Sequence, residues 1–242
     1  MKTTRFAEPR YVGDPLNAVR IFNEKHVDEL VVTDIDASLL GKEPDYDLIK
    51  KLAAECRMPL CYGGGIKTAD QIGRIIGLGV EKVALGSAVV ETPELISKAA
   101  SHVGSQSIVV VIDAKKAGLL GRYSAFTHNG RRNTGLTPAE LAKQAEALGA
   151  GEILLNSIDQ DGTLEGYDYA LIDEVRDAVS LPMSVLGGAG SVDDIRRLVD
   201  RYGVIGAGAG SLFVFKGKYR AVLINHPKPE EKRALFARLD LG

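Results

Sequence analysis

The chain is predicted to be an α/β protein, a (β/α)8 TIM barrel built from two repeated halves with its first strand missing. Three observations predict it. Short runs rich in β-branched residues alternate with longer segments of helical period. The runs are apolar throughout, as expected of parallel strands covered by helices on one side and a barrel interior on the other. The two halves resemble one another: residues 29–36 match 152–159 at an offset of 123, Gly64-Gly65 match Gly187-Gly188 at the same offset, and Leu85-Gly86-Ser87 match Ala209-Gly210-Ser211 at 124.

In chain order, the first periodic segment is a helix over 14–25, followed by strands at 30–34, 59–62, 82–85, 108–112, 152–156, 182–186 and 204–207. Thr92-Pro93 and Thr137-Pro138 each offer an N-cap with proline at the first helical position, and Gly149 and Gly203 close helices. This is seven strands where a closed barrel has eight. The strand 109–113 lacks a twin, which the repeat places ahead of Met1, so the expected missing strand is the first. The whole chain, 1–242, reads as one barrel domain with a divergent tail over 216–242, of which 229–239 is a short charged surface helix.

Composition narrows the function classes. A formal net charge of −2 over 242 residues gives no reason to expect nucleic acid or an anionic membrane as partner. No apolar run reaches transmembrane length, and residues 1–10 are too polar for a signal peptide. Cys56 and Cys61 lie five apart with no second pair for a metal site, so reduced thiols in a cytoplasmic protein are expected, with no metal and no cofactor.

Four glycine turns follow strands, at the end of a barrel where sites are built. Gly63-Gly64-Gly65 and Gly187-Gly188-Ala189-Gly190 precede helices, where glycines and helix N-termini suit an anion. Leu85-Gly86-Ser87 and Ala209-Gly210-Ser211 each add a hydroxyl. A lone glycine turn is more often a tight loop. Two sets at one repeat offset favour two phosphate sites, and therefore a bis-phosphorylated small-molecule substrate. Gly206 to Gly210 lacks the spacing and downstream acid of a dinucleotide fingerprint.

Asp34, Asp36, Asp113, Asp159 and Asp161 stand at or beyond strand ends, where each could cap a helix or take part in chemistry. Asp113 ends an unbroken apolar strand and could move a proton. Glu29, Lys82 and Glu152 stand at strand starts, where a solvated salt-bridge cluster is the ordinary reading.

Asp113-Ala-Lys, the stretch 127–135, the stretch 149–163 and Gly187-Gly-Ala-Gly190 resemble the cyclase subunit of imidazole glycerol phosphate synthase, a lyase-type synthase of histidine biosynthesis. The resemblance runs from about Lys2 to Phe215. It implies ammonia supplied by a glutaminase partner and a bisphosphate substrate whose imidazole ring is closed. It assigns Asp113 as the catalytic acid, Asp161 and Asn156 as supporting residues, and Lys2 to the loop after strand one. Gly65, Gly86 and Ser87 would line one phosphate site, and Gly162, Gly188, Gly210 and Ser211 the other. Glu29, Lys82 and Glu152 match three of the four residues of an ammonia gate. The family's second catalytic aspartate and the gate arginine belong to strand one and are not in the sequence, and Gly86 stands where asparagine is usual. Residues 9–15 and 210–225 look like a paralogous branch associated with sugar amidation in surface-polysaccharide synthesis. Three functions stay open at this point: the histidine-pathway cyclase, that paralog, and a non-catalytic subunit that docks a glutaminase.

Overall fold

The computed structural model describes residues 1–118 and 120–237. The strands are β1 (Lys2–Thr4), β2 (Ala7–Arg10), β3 (Leu30–Thr33), β4 (Leu60–Gly63), β5 (Lys82–Leu85), β6 (Ile108–Ala117), β7 (Arg122–Thr127), β8 (Arg132–Asn133), β9 (Glu152–Ser157), β10 (Met183–Leu186), β11 (Gly206–Ala207), β12 (Phe215–Lys216) and β13 (Ala221–Val222). The helices are α1 (Pro15–Glu24), α2 (Ala37–Leu40), α3 (Tyr46–Glu55), α4 (Ala69–Gly77), α5 (Ser87–Glu91), α6 (Leu95–Val103), α7 (Pro138–Ala147), α8 (Tyr169–Arg176), α9 (Val192–Tyr202), α10 (Ser211–Val214) and α11 (Pro229–Phe236).

Seven parallel strands pair in the order β11-β10-β9-β6-β5-β4-β3, so every predicted barrel strand is present and neighbours follow one another along the chain. Pairing alternates the side chains between two apolar layers. Ile72, Ile75, Ile96, Ile108, Ile153, Leu155 and Leu171 are buried between sheet and helices. Cys61, Ala84, Val109 and Leu154 form a smaller cluster inside the barrel, joined by Val111 and Leu186. Each fully buried aliphatic side chain contributes on the order of 1.5–3 kcal/mol by leaving water, so the larger layer dominates the cohesion of the fold. The sheet is open between β11 and β3. There Val31, which pairs across to interior Cys61, is 42% exposed.

Three expectations are corrected. The first periodic helix, α1, is preceded by an antiparallel hairpin, β1–β2, whose turn places Arg5 and Phe6 at φ of 50° and 59°. Too short and too polar to show a strand period, it could not be found from pattern. Strand β6 runs five residues past its predicted end and continues antiparallel to β7, which pairs with β8. Finally, Thr92 does not cap a helix: it closes α5, and residues 92–95 form a turn before α6 starts at Leu95. Thr137 does cap α7, in a reciprocal capping box with Glu140 and with Pro138 at the start. Gly149, at φ 90°, and Gly203, at φ 68°, follow α7 and α9 as expected. Helix α11 is the charged tail helix, anchored by Lys232 Nζ on Asp28 at 2.7 Å; residues 238 and 239 of its predicted span lie outside the described residues.

Candidate active site

The barrel mouth is lined by the turns and loops beyond the C-terminal ends of the strands. The glycine turns form there because the strands leave no room for side chains. A Cβ on Gly64 would lie 2.5 Å from the Asp34 carbonyl oxygen, and one on Gly187 would lie 2.5 Å from the Ser157 carbonyl oxygen. Asp34 and Ser157 are themselves 123 apart, so the duplication seen in the sequence is repeated in the contacts. Both glycines have positive φ, 116° and 97°, which L side chains rarely adopt.

In the second half, Lys2, Asp161, Gly162, Gly188, Gly210 and Ser211 line one cleft. The Ser211 hydroxyl is buried and has no hydrogen-bond partner there. An unsatisfied buried hydroxyl is costly, and an anion in the cleft would give it one. In the first half, Gly65 and Gly86 follow adjacent strands β4 and β5. The Ser87 hydroxyl accepts the His128 backbone N–H at 3.2 Å. His128, Asn129 and Gly130 are successive positive-φ residues at the β7–β8 turn, a strained segment that composition did not reveal.

Between the glycine turns after β4 and β5 and those after β10 and β11 stand β6 and β9. Asn156 Nδ2 donates to Asp113 Oδ1 at 2.9 Å, joining the ends of the two strands, which pair at these residues. Burial pushes the Asp113 carboxyl up to about 6, with the negative charge of Asp161 adding to the rise and the Asn156 hydrogen bond opposing it. A carboxyl in that range can give or take a proton near neutrality. Asp161 is almost fully buried; its carboxylate forms an ion pair with Lys2 and accepts the Thr3 hydroxyl at 3.0 Å. Lys2 therefore reaches the site from the β1–β2 hairpin.

The other acidic candidates take structural parts. Asp34 accepts the backbone N–H groups of Asp36 and Ala37 at 3.1 Å each, and Asp159 accepts that of Lys116 at 2.9 Å. The Asp36 side chain makes no capping bond to α2.

At the opposite end of the barrel, Lys82 Nζ donates to Glu29 at 3.1 Å and to Glu152 at 2.8 Å. Burial pulls the Lys82 ammonium down, but its hydrogen bonds to Glu152 and Glu29 outweigh this and leave it above the ordinary lysine value. Ser184 completes the layer, donating to Glu152 at 2.6 Å. It was not singled out from the sequence, although its place in β10, beside the inward-facing Leu154 of β9, marks it as interior. Just above this layer, burial and the two glutamates push the Cys61 thiol up, so it is a poor nucleophile. Among the described residues no cluster of three or more His, Cys, Asp or Glu could hold a metal ion, and no helix is long and apolar enough to cross a membrane.

Comparison with known proteins identifies the family. Residues 1–220 match the family model described as histidine biosynthesis protein. A Leptospira interrogans protein named for imidazole glycerol phosphate synthase subunit HisF is 56% identical over 236 residues, covering 98% of this chain and 93% of its own length. A similarly named Vibrio vulnificus protein is 57% identical, covering 96% and 90%. The imidazole glycerol phosphate synthase subunit HisF of Lactococcus lactis is 43% identical, covering 81% and 75%. With a duplicated glycine-turn mouth, a central carboxyl and these relatives, the chain belongs to the histidine biosynthesis protein family, among its cyclase subunits.

Proposed function

We propose that this chain uses ammonia to convert a bisphosphate substrate into imidazole glycerol phosphate and aminoimidazole carboxamide ribotide, with the ammonia supplied by a glutaminase partner. One observation carries the reading. The sheet order places Asp113 and Asn156, on β6 and β9, between the turns of β4 and β5 on one side and those of β10 and β11 on the other. A substrate with a phosphate at each end, anchored by Gly65, Gly86 and Ser87 and by Gly162, Gly188, Gly210 and Ser211, would present its middle to Asp113.

In this reading Asp113 is the acid. Addition of ammonia to a carbonyl carbon expels the oxygen as water, and that oxygen needs a proton which a carboxyl poised near neutrality can give. Asn156 orients Asp113, while Lys2 and Asp161 sit where the second phosphate meets the reacting centre. Glu29, Lys82 and Glu152 stand at the bottom as the entry for ammonia, with Ser184 as a fourth member of the layer. The names of the relatives and the polarity of that layer support the partner assignment.

The test is ammonia-dependent consumption of the ribulosyl-formimino aminoimidazole carboxamide bisphosphate by the purified chain. Turnover that Asp113→Asn reduces by about a thousandfold or more, with phosphate affinity retained, is the expected result; such a loss is of the size seen when a proton-transfer group is removed. A variant that keeps full activity would refute the role of Asp113. Absence of turnover by folded wild-type protein that binds phosphate would refute the activity proposed for this chain.

A further inference from the structure

The hairpin that brings Lys2 to the cleft has few ties to the barrel. All four residues of β2 are exposed, and those of β1 are half-buried. Phe6, in its turn, is half-buried beside Gly130, and the other ties are polar: the Lys2 and Thr3 contacts to Asp161, the Arg5 N–H donating to the Asp161 carbonyl at 2.8 Å, and Arg5 Nε donating to the Asp159 carbonyl at 3.0 Å. A second hairpin, β12–β13, comes from the far end of the chain and adds one more tie. From it Arg220 donates to the Gly162 carbonyl and, at 3.3 Å, to the Thr4 hydroxyl. The same guanidinium lies 5.8 Å from the centre of the Phe215 ring, and that of Arg10, on β2, lies 5.3 Å from the same ring.

Arg220 has φ of 50°, a conformation that side chains other than glycine disfavour, so its contacts must hold it there. Those contacts converge on one place. Gly162 lines the anion cleft, and a Cβ on it would lie 2.7 Å from the Thr3 carbonyl oxygen, so hairpin and cleft wall are already in close contact. A planar guanidinium can serve a carbonyl, a hydroxyl and a ring together, whereas an ammonium cannot reproduce that fork.

We propose that Arg220 is a positioning residue for the anion cleft: by bridging the C-terminal hairpin to Thr4 and Gly162, it keeps the N-terminal hairpin docked and holds the Lys2 ammonium ready for the substrate phosphate. The identity of the anion rests on the function proposed above; the docking does not. Weakly packed segments open locally at small cost, so removing one of so few ties releases the hairpin while the barrel stays folded.

Hydrogen exchange and phosphate titration test this on the whole chain. In Arg220→Ala the Arg5 amide should exchange at least tenfold faster, while the Ile153 amide, bonded within the barrel to the Pro182 carbonyl at 3.0 Å, stays protected and reports an intact fold. Inorganic phosphate, followed by NMR, should bind about tenfold more weakly at the Gly210 and Ser211 amides and unchanged at those of Gly86 and Ser87. Arg220→Lys should keep the charge yet recover little of the Arg5 protection. Unchanged exchange at Arg5 overturns the proposal, as does faster exchange with undiminished phosphate binding at Ser211. An equal loss of phosphate at both ends overturns it too, because the effect would then be general. Failure of the proposed function appears separately, as Arg220→Ala showing these responses while the wild-type protein turns over no bisphosphate.

Discussion

Asp113 is a single carboxyl on which burial, a neighbouring carboxylate and an amide donor act together, and the balance makes it both useful and costly. Its folded value of about 6 lies above the ordinary 3.8, so between those pH values the folded chain binds more protons than the unfolded one. Its contribution to stability is therefore full below about pH 4 and is lost as pH rises through about 6. Asp113→Asn should then be more stable than the parent at pH 8, by on the order of 1–3 kcal/mol, and about equal to it at pH 4. Denaturant melts at the two pH values check this; a gain of equal size at both would show that the charge is not the cause. Ser211 is the complementary case. Its buried hydroxyl lacks a partner, so Ser211→Ala should leave the melting temperature unchanged or slightly raised. The same variant should weaken phosphate binding about tenfold, roughly 1.4 kcal/mol, which calorimetry with inorganic phosphate would measure.

At the scale of elements, the seven barrel strands are where sequence and structure correspond best, and of the two predicted helix caps only Thr137 is one. The capping box of Thr137 and Glu140 satisfies backbone N–H groups at the start of α7, with Thr137 Oγ1 accepting from Glu140 N at 3.2 Å and Glu140 accepting from Thr137 N at 2.8 Å. Thr137→Ala should cost about 1 kcal/mol in a urea melt and leave phosphate binding untouched. A substitution in a mouth turn should behave differently. At Gly188, φ is 105° and a Cβ would fall 1.9 Å from the Gly166 carbonyl oxygen, so Gly188→Ala must move the loop that ends at α8. It should lower both stability and phosphate binding, and a variant that lost neither would show that the turn is free to relax.

On the scale of the whole molecule, the barrel has two chemically different ends joined by an apolar interior. The glycine turns and Asp113 lie at the mouth, and the Glu29, Lys82 and Glu152 network lies at the base, with Cys61, Ala84, Val109 and Leu154 between them. If the base admits ammonia from a glutaminase, Lys82→Ala should reduce glutamine-driven turnover of the two-subunit complex several-fold more than turnover with added ammonia. Equal reductions by both routes would return the network to a structural part, worth no more than a partly exposed salt bridge.

The strand positions, the two-half repeat, the glycine turns and Asp113 were all legible in the sequence, because each depends on short-range rules. Apolar runs of strand length, glycines that tolerate positive φ and an offset of 123 can be read without knowing what touches what. The histidine-pathway assignment rested on specific motifs such as 149–163 and agrees with the family match. What only the tertiary structure decided depends on residues far apart in the chain. Arg220 meets Thr4 across 216 positions, Lys2 meets Asp161 across 159, and Ser184 joins the basal layer through Glu152 across 32. The raised Asp113 carboxyl likewise reflects burial by strands that share no local pattern with it. No local propensity encodes such pairings, since their partners are set by how the closed turns and the curled sheet bring distant segments together.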